Sequence, residues 1–215
     1  IGNFKLFELL INKLQIPQRW KQRLIKFFWN EKYFSELLKR LESNLDIDPV
    51  AVAGDKKMYS KMIKLNQKKI INGRSYKEII KRFESKINDP RQSETGKKSA
   101  KIIKEFLKIK CSLNNAPNIL NKFFKKYDLN IFVNKDYFPI KNLKIKDTKF
   151  EFSTSIGRGR EVEFYNSLIF SLDVKKKNKF VNLISGGRFD ELTSKYLGLK
   201  KVPAVGAAVN LSNYE

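Results

Sequence analysis

The sequence predicts an α+β chain, with helices filling residues 1–147 and a mostly antiparallel sheet filling 148–215. Three observations lead there. Apolar residues recur at helical spacing in separate segments from Phe4 to Tyr127. β-Branched and aromatic runs take over from Lys149 to Val209. A polar Lys175–Lys179 stretch then sits between two of those runs, as a hairpin turn would.

The helices follow in order. Phe4, Phe7, Ile11 and Leu14 share one helical stripe, and Pro17 opens a second helix carrying Trp20, Leu24, Phe27 and Phe28, expected to end at Asn30 or Glu31. Tyr33 to Leu41 places Phe34, Leu37, Leu38 and Leu41 together, and Asp46 to Pro49 is a break. Ser75 with Glu78 three residues later forms a capping box before a helix whose expected buried face is Ile79, Ile80, Phe83 and Ile87. Asn88-Asp89-Pro90 stops that helix, and the polar stretch to Gly96 reads as a flexible loop. Ala100 to Ile109 and Ala116 to Tyr127 are two further helices. Their unequal lengths show no repeat period.

The strands read as Lys149–Ser153, Glu161–Val174, Phe180–Ser185 and Val202–Val209, with Asp190–Leu197 as a helix between the last two, closed by Gly198. Along Glu161 to Asp173, Val162, Phe164, Leu168, Phe170 and Leu172 alternate with Glu163, Tyr165, Ser167, Ser171 and Asp173. That places one face on a core and leaves the other to line a polar cleft, or simply to meet water.

Composition narrows the chemistry. The chain has no histidine and one cysteine, Cys111, so an imidazole base, a Ser-His-Asp triad, a His-ligated zinc, an intrachain disulfide and a Cys cluster are all excluded. No metal or cofactor is called for. No run approaches the ~20 apolar residues of a membrane helix, and no secretory leader is legible, so a cytoplasmic location is expected. The net charge of +23 would suit a nucleic acid, yet the lysines are spread through almost every segment. Nucleic acid is therefore not the expected partner; Lys56–Lys57 and Lys175–Lys177 are the small clusters that stand out. At 215 residues one compact body is the default, and the start at Ile1 and stop just after a strand read as part of a longer protein.

Three pieces in order carry a resemblance: Gly157-Arg158-Gly159-Arg160-Glu161-Val162-Glu163-Phe164-Tyr165, then Ile184-Ser185-Gly186-Gly187-Arg188-Phe189-Asp190, then Val202-Pro203-Ala204-Val205-Gly206. The series resembles the histidyl-tRNA synthetase catalytic core, where an R-x-L-D-Y-Y-T-G-x-V-F-E strand precedes G-G-R-Y-D and P-A-V-G-F. The opening Gly2–Leu10 resembles the segment after motif 2 in this superfamily, and the run Gln18–Leu24 with Phe28-Trp29 and the run Asn72–Phe83 resemble the helical insert of ATP phosphoribosyltransferase regulatory subunits of the α-proteobacterial type. The likeness spans nearly the whole chain, firmest from Thr154 onward and looser from Asn88 to Phe150.

The resemblance implies a class II aminoacyl-tRNA-synthetase-like sheet, with residues 1–147 as the helical region after motif 2 and 148–215 as the end of the catalytic-core sheet. It also implies a histidine pocket built from Arg160, Glu163, Tyr165, Gly186, Gly187 and Arg188. Glycines without a Cβ let backbone approach a small ligand, and a tyrosine offers a ring and a hydroxyl to an imidazole. Two plainer readings stay open: the glycines form a tight turn, and Arg188 braces the sheet by pairing with Asp190.

Departures from the synthetase pattern separate activity from regulation. Leu211-Ser212-Asn213-Tyr214 carries no arginine where motif 3 grips ATP, Ser171 stands where the strand usually ends in glutamate, and Asn166-Ser167 replace Thr-Gly. Losing such a donor would cost an adenylate-forming enzyme about 2.7–4 kcal/mol if it acts like an oxyanion-type donor. A sensor needs the amino-acid pocket without that chemistry. The resemblance thus implies a non-catalytic regulatory subunit that, with a short-form catalytic partner, confers L-histidine feedback on the joining of ATP to phosphoribosyl pyrophosphate. The alternatives are a divergent histidine-tRNA ligase and, from charge alone, a basic RNA-binding module.

Overall fold

A computed structural model describes residues 1–65, 70–71, 74–89, 91–138, 145–159, 164–177, 179–192, 194, 198, 200 and 202–213. The elements in chain order are β1 (Gly2–Asn3), α1 (Phe4–Lys13), α2 (Gln18–Lys26), α3 (Glu31–Glu42), α4 (Pro49–Leu65), β2 (Ile70–Ile71), β3 (Arg74–Ser75), α5 (Tyr76–Ile87), α6 (Ser93–Phe106), β4 (Lys110–Ser112), α7 (Ala116–Lys126), β5 (Glu151–Ser153), β6 (Leu168–Lys176), β7 (Lys179–Arg188) and β8 (Val205–Val209). Every strand pair among the described residues is antiparallel, so the chain mixes helices with antiparallel sheet as expected. Among the described residues no helix is long and apolar enough to cross a membrane. The chain divides into two compact units.

The first unit comprises Ile1–Leu14, Ile25–Glu31 and Ile102–Glu215. Its sheet runs β1-β6-β7-β8, and β1 leads straight into α1, whose start is fixed by the Asn3 side chain accepting from the Lys5 amide at 3.0 Å. Phe4, Leu6, Phe7, Leu10 and Ile11 bury the inner face of α1. The rings of Phe4 and Phe7 meet Phe28 with centroids 5.1 and 4.4 Å away, and Phe28 meets Trp29 edge-on at 4.9 Å. Gly157, at φ +82°, turns the chain over the Trp29 ring, while Arg158 Nε donates to the Phe28 carbonyl and the Gly159 amide to that of Trp29. That turn delivers the chain toward residue 160. The outer strand β8 pairs only with β7 among the described strands, and Val205 and Val209 are 75% and 55% exposed, so that edge of the sheet is open.

The second unit comprises Gln15–Leu24 and Lys32–Lys101. Trp20, Leu24, Phe34, Leu37, Leu38 and Leu41 form its core. Trp20 is fully enclosed, with the guanidinium groups of Arg19 and Arg91 5.0 and 4.7 Å from its ring centre, and its indole donates to Asp89 at 3.1 Å. Asp89 also receives Arg19 at 2.5 Å, Arg40 pairs with Asp46 at 2.7 Å, and Arg91 donates to the Leu41 carbonyl at 2.8 Å. Burial pushes the Arg91 guanidinium below its ordinary pKa. It also works to raise the Asp46 carboxyl, but the hydrogen bond from Arg40 and the nearby arginines outweigh it and hold that carboxyl low.

Four readings of local structure change. The stretch after Asn88 is not a flexible loop: α6 begins at Ser93, and Arg91 is buried by its ion pairs. α2 ends at Lys26, and Glu31 opens α3 instead of closing α2. α4 was not foreseen at all. The strand placed at Glu161–Val174 begins at Leu168; residues 161–163 lie outside the described residues, and 164–167 belong to no strand, although the Asn166 amide bonds to the Arg188 carbonyl and the Ser167 carbonyl accepts from the Phe4 amide. The Ser75–Glu78 capping box is present as read, although Tyr76 is the one residue of α5 in the buried class. The helix read over Asp190–Leu197 falls partly outside the described residues.

Candidate functional site

The motif pieces that carried the resemblance meet at one end of the β7 strand. Its register sets Gly186 between Phe170 and Ala207, and Gly187 between Ile169 and Gly206. The two glycines therefore lie inside a strand, with ladders on both sides, and not in a turn at its end. Neither could be replaced without displacement. A Cβ on Gly187 would lie 2.7 Å from the Tyr165 ring and 2.8 Å from the Leu168 carbonyl, and one on Gly186 would run into the Gly206 carbonyl and the Phe170 ring.

Successive strand residues face opposite sides. Gly187 accordingly looks toward Tyr165, while Gly186 looks toward Phe170 on the other face. Tyr165 is 9% exposed, and burial pushes its hydroxyl above the usual pKa. Its ring joins those of Phe164 and Phe189, with centroids 4.5 and 6.2 Å away. The cavity lined by Ile156, Gly157, Tyr165, Ile169 and Gly186 measures about 10 Å³, at the lower limit of what one water requires.

The Gly-Gly-Arg-Phe-Asp and Pro-Ala-Val-Gly pieces are hydrogen-bonded to one another. The Phe189 amide donates to the Ala204 carbonyl at 2.9 Å, and the Ala204 amide donates to Asp190 Oδ1 at 3.0 Å. Arg188 Nε donates to Asp190 Oδ2 at 2.7 Å, so the bracing pair raised from the sequence is present. The backbone bond from Ala204, followed by the Arg188 guanidinium, holds the Asp190 carboxyl below its usual range. Arg188 remains 45% exposed, leaving its other donors open to water. Arg160 and Glu163 lie outside the described residues, so of the six residues read as a pocket the structure brings together Tyr165 and Gly187, places Gly186 beside them, and ties Arg188 to Asp190.

Further along the sheet lies Ser171. Its hydroxyl donates to Asp173 at 2.8 Å and accepts from Asn182 at 2.7 Å, and Ser185 donates to Asn182 at 2.7 Å. This closed polar chain was not anticipated; Ser171 and Asp173 on the alternating polar face were its only trace in the sequence. Leu211–Asn213 form a short 3-10 helix in which the Ser212 hydroxyl bonds Asn210, with no basic side chain in it. Among the described residues no group of three or more acidic or Cys side chains could hold a metal ion.

No family model matches the chain, and no solved structure matches it. Curated proteins do. The whole chain aligns with the ATP phosphoribosyltransferase regulatory subunits of Allorhizobium ampelinum at 28% identity, Rhizobium johnstonii at 27% and Brucella anthropi at 22%. In each case it spans 61% of the relative's length. The chain is thus a distant relative, over its entire length, of the ATP phosphoribosyltransferase regulatory subunits.

Proposed function

We propose that the protein is a non-catalytic regulatory subunit of ATP phosphoribosyltransferase, required for activity and for histidine feedback in the first step of histidine biosynthesis. The observation that carries this reading is the agreement of relatives aligned over the whole chain with the ordered motif series from Gly157 to Gly206. In this reading residues 1–147 form the helical region after motif 2, residues 148–215 end a class II synthetase-like sheet, and the protein works in the cytoplasm beside a short-form catalytic subunit. L-Histidine is the effector, held by Arg160, Glu163, Tyr165, Gly186, Gly187 and Arg188, and no cofactor takes part.

The packing supports a specific version of feedback. The cavity beside Tyr165, about 10 Å³, is too small for an imidazole, and in this reading histidine takes the place of the Tyr165 ring over Gly187. A ligand that binds better to the ring-displaced state shifts the population toward it, and whatever the partner senses of that state is the coupling.

The test measures phosphoribosyl transfer by the candidate catalytic subunit with and without the protein, and ATP–pyrophosphate exchange with histidine on the protein alone. Activation of the partner, inhibition by histidine and no exchange are expected. Tyr165→Ala should shift the histidine dependence by about 10-fold or more, equivalent to about 1.4 kcal/mol. Robust exchange with no effect on the partner sinks the reading.

A further inference from the structure

The net charge of +23 is spread along the chain, but the fold concentrates one part of it. The β6–β7 register sets Lys176 directly opposite Lys179, and Lys175 opposite Phe180. Lys177 sits at the turn with φ +44°. Lys175, Lys177 and Lys179 are exposed, and Phe180 is 75% exposed. The nearest acidic residue along the hairpin, Asp173, is already engaged by Ser171 and Asn182. Among the described residues none of the four lysines makes an ion pair.

Two unfavourable features therefore coincide at one tip. Like charges directly across a ladder repel, and among the described residues no carboxylate pairs with them. A phenylalanine ring stands in water among those cations, whereas the neighbouring strand residues Val174 and Val181 are half-buried. One kind of ligand relieves both: a polyanion that also carries flat aromatic groups. Phosphates release counterions as lysines neutralise them, and an unpaired base can stack on an exposed ring. A base inside a duplex cannot reach the ring.

Other partners fit less well. A stable protein interface covers about 800 Å² on each side, far more than a tip of five side chains presents. Firm attachment to a membrane takes two signals, of which a single ring is a weak one. We propose that Lys175, Lys176, Lys177, Lys179 and Phe180 form a binding site for single-stranded nucleic acid, one base stacking on Phe180 while the lysines follow the adjoining phosphates. This site is independent of the regulatory reading.

The experiment is fluorescence anisotropy of a labelled oligouridine RNA of about a dozen nucleotides, titrated with the full chain over a range of salt. Replacing Lys175, Lys177 and Lys179 together by Ala should weaken binding at least 10-fold at low salt and reduce the log–log salt slope by about 2, at ~0.7 per phosphate contact. Phe180→Ala should weaken binding by roughly 5- to 150-fold with the salt slope unchanged, the range given by loss of one stacked base. Phe180→Leu should fail in the same way, since it keeps apolar surface but has no ring. The control replaces Lys57, Lys61 and Lys64 of α4 together by Ala, the same loss of charge elsewhere, and should change affinity less than 2-fold. Circular dichroism of each variant checks folding. Equal losses in the two lysine triples would reassign binding to diffuse charge and overturn the proposal. So would absence of binding by the unaltered chain, or a Phe180-dependent preference for phosphatidylserine vesicles or polyglutamate over the RNA.

Discussion

Helices α1 and α4 reach stability by opposite routes. α1 is 10 residues long and buries five of them, including Leu6, Leu10 and Ile11 at 0% exposure. α4 is 17 residues long, and none of those whose burial is described is in the buried class; Val50 is 80% exposed, Met58 49% and Ile63 47%. What holds α4 is a cap, a partner helix and two polar ties. Asp48 accepts from the amides of Val50 and Ala51 at 2.9 and 3.1 Å, Tyr76 donates to the Met62 carbonyl at 2.5 Å, and Lys86 pairs with Asp55 at 2.7 Å. Val52, Asp55, Tyr59 and Met62 give it a half-buried stripe of mixed polarity. A helix that packs on a core writes its period in apolar residues, and a helix held by caps and side-chain ties does not.

The largest test of this contrast removes comparable side chains from each helix. Leu10→Ala should cost about 2–5 kcal/mol, the range for a fully buried leucine, whereas Val50→Ala should stay within about 0.5 kcal/mol. Urea unfolding followed by circular dichroism measures both. Similar losses from the two changes would show that α4 carries as much buried packing as α1.

A smaller effect sits on the solvent edge of α1. Burial raises the Glu8 carboxyl above its ordinary pKa, the Glu191 carboxylate adds to this, and Lys5 opposes it. Because the folded value lies above the unfolded one, near 4.3, this group favours the fold below about pH 4.3 and loses that contribution as pH rises through the folded value. Glu8→Gln should therefore raise the melting temperature at pH 7, by no more than about 1 kcal/mol of stability after solvent screening, and leave it unchanged at pH 4. An equal shift at both pH values would assign the effect to something other than titration.

The same contrast explains what could be read in advance. The stripes through Phe4–Leu14, Trp20–Phe28 and Phe34–Leu41 were legible because those faces pack on cores, and the β6–β7 hairpin was legible because Lys175–Lys179 interrupts two apolar runs. The cluster of Arg19, Asp46, Asp89 and Arg91 was not. Its members are up to 72 positions apart by number, and each alone looks like a surface charge, so a buried ion network passed for a loop. At the candidate site, Tyr165, the two glycines and the possible Arg188–Asp190 pair could all be named from the sequence. That Gly186 and Gly187 lie within a ladder could not, since the sequence fixes no register for a strand flanked by two partners.

The smallest effect tests the outer surface of α4 directly. Gly54 lies in the middle of that helix without a positive φ, and a Cβ there would meet nothing within 4 Å. Gly54→Ala should stabilise the protein by about 0.4–1 kcal/mol, because alanine loses less backbone freedom on folding and improves helix propensity. Gly96, within α6, is the counterpart: a Cβ there would run into the Leu41 carbonyl, so its replacement by alanine should destabilise by about 1–3 kcal/mol despite the identical gain in propensity. Thermal melts of the two variants should thus move in opposite directions. If Gly54→Ala also destabilises, the outer face of α4 is packed against something, and its stability does not rest on caps and ties alone.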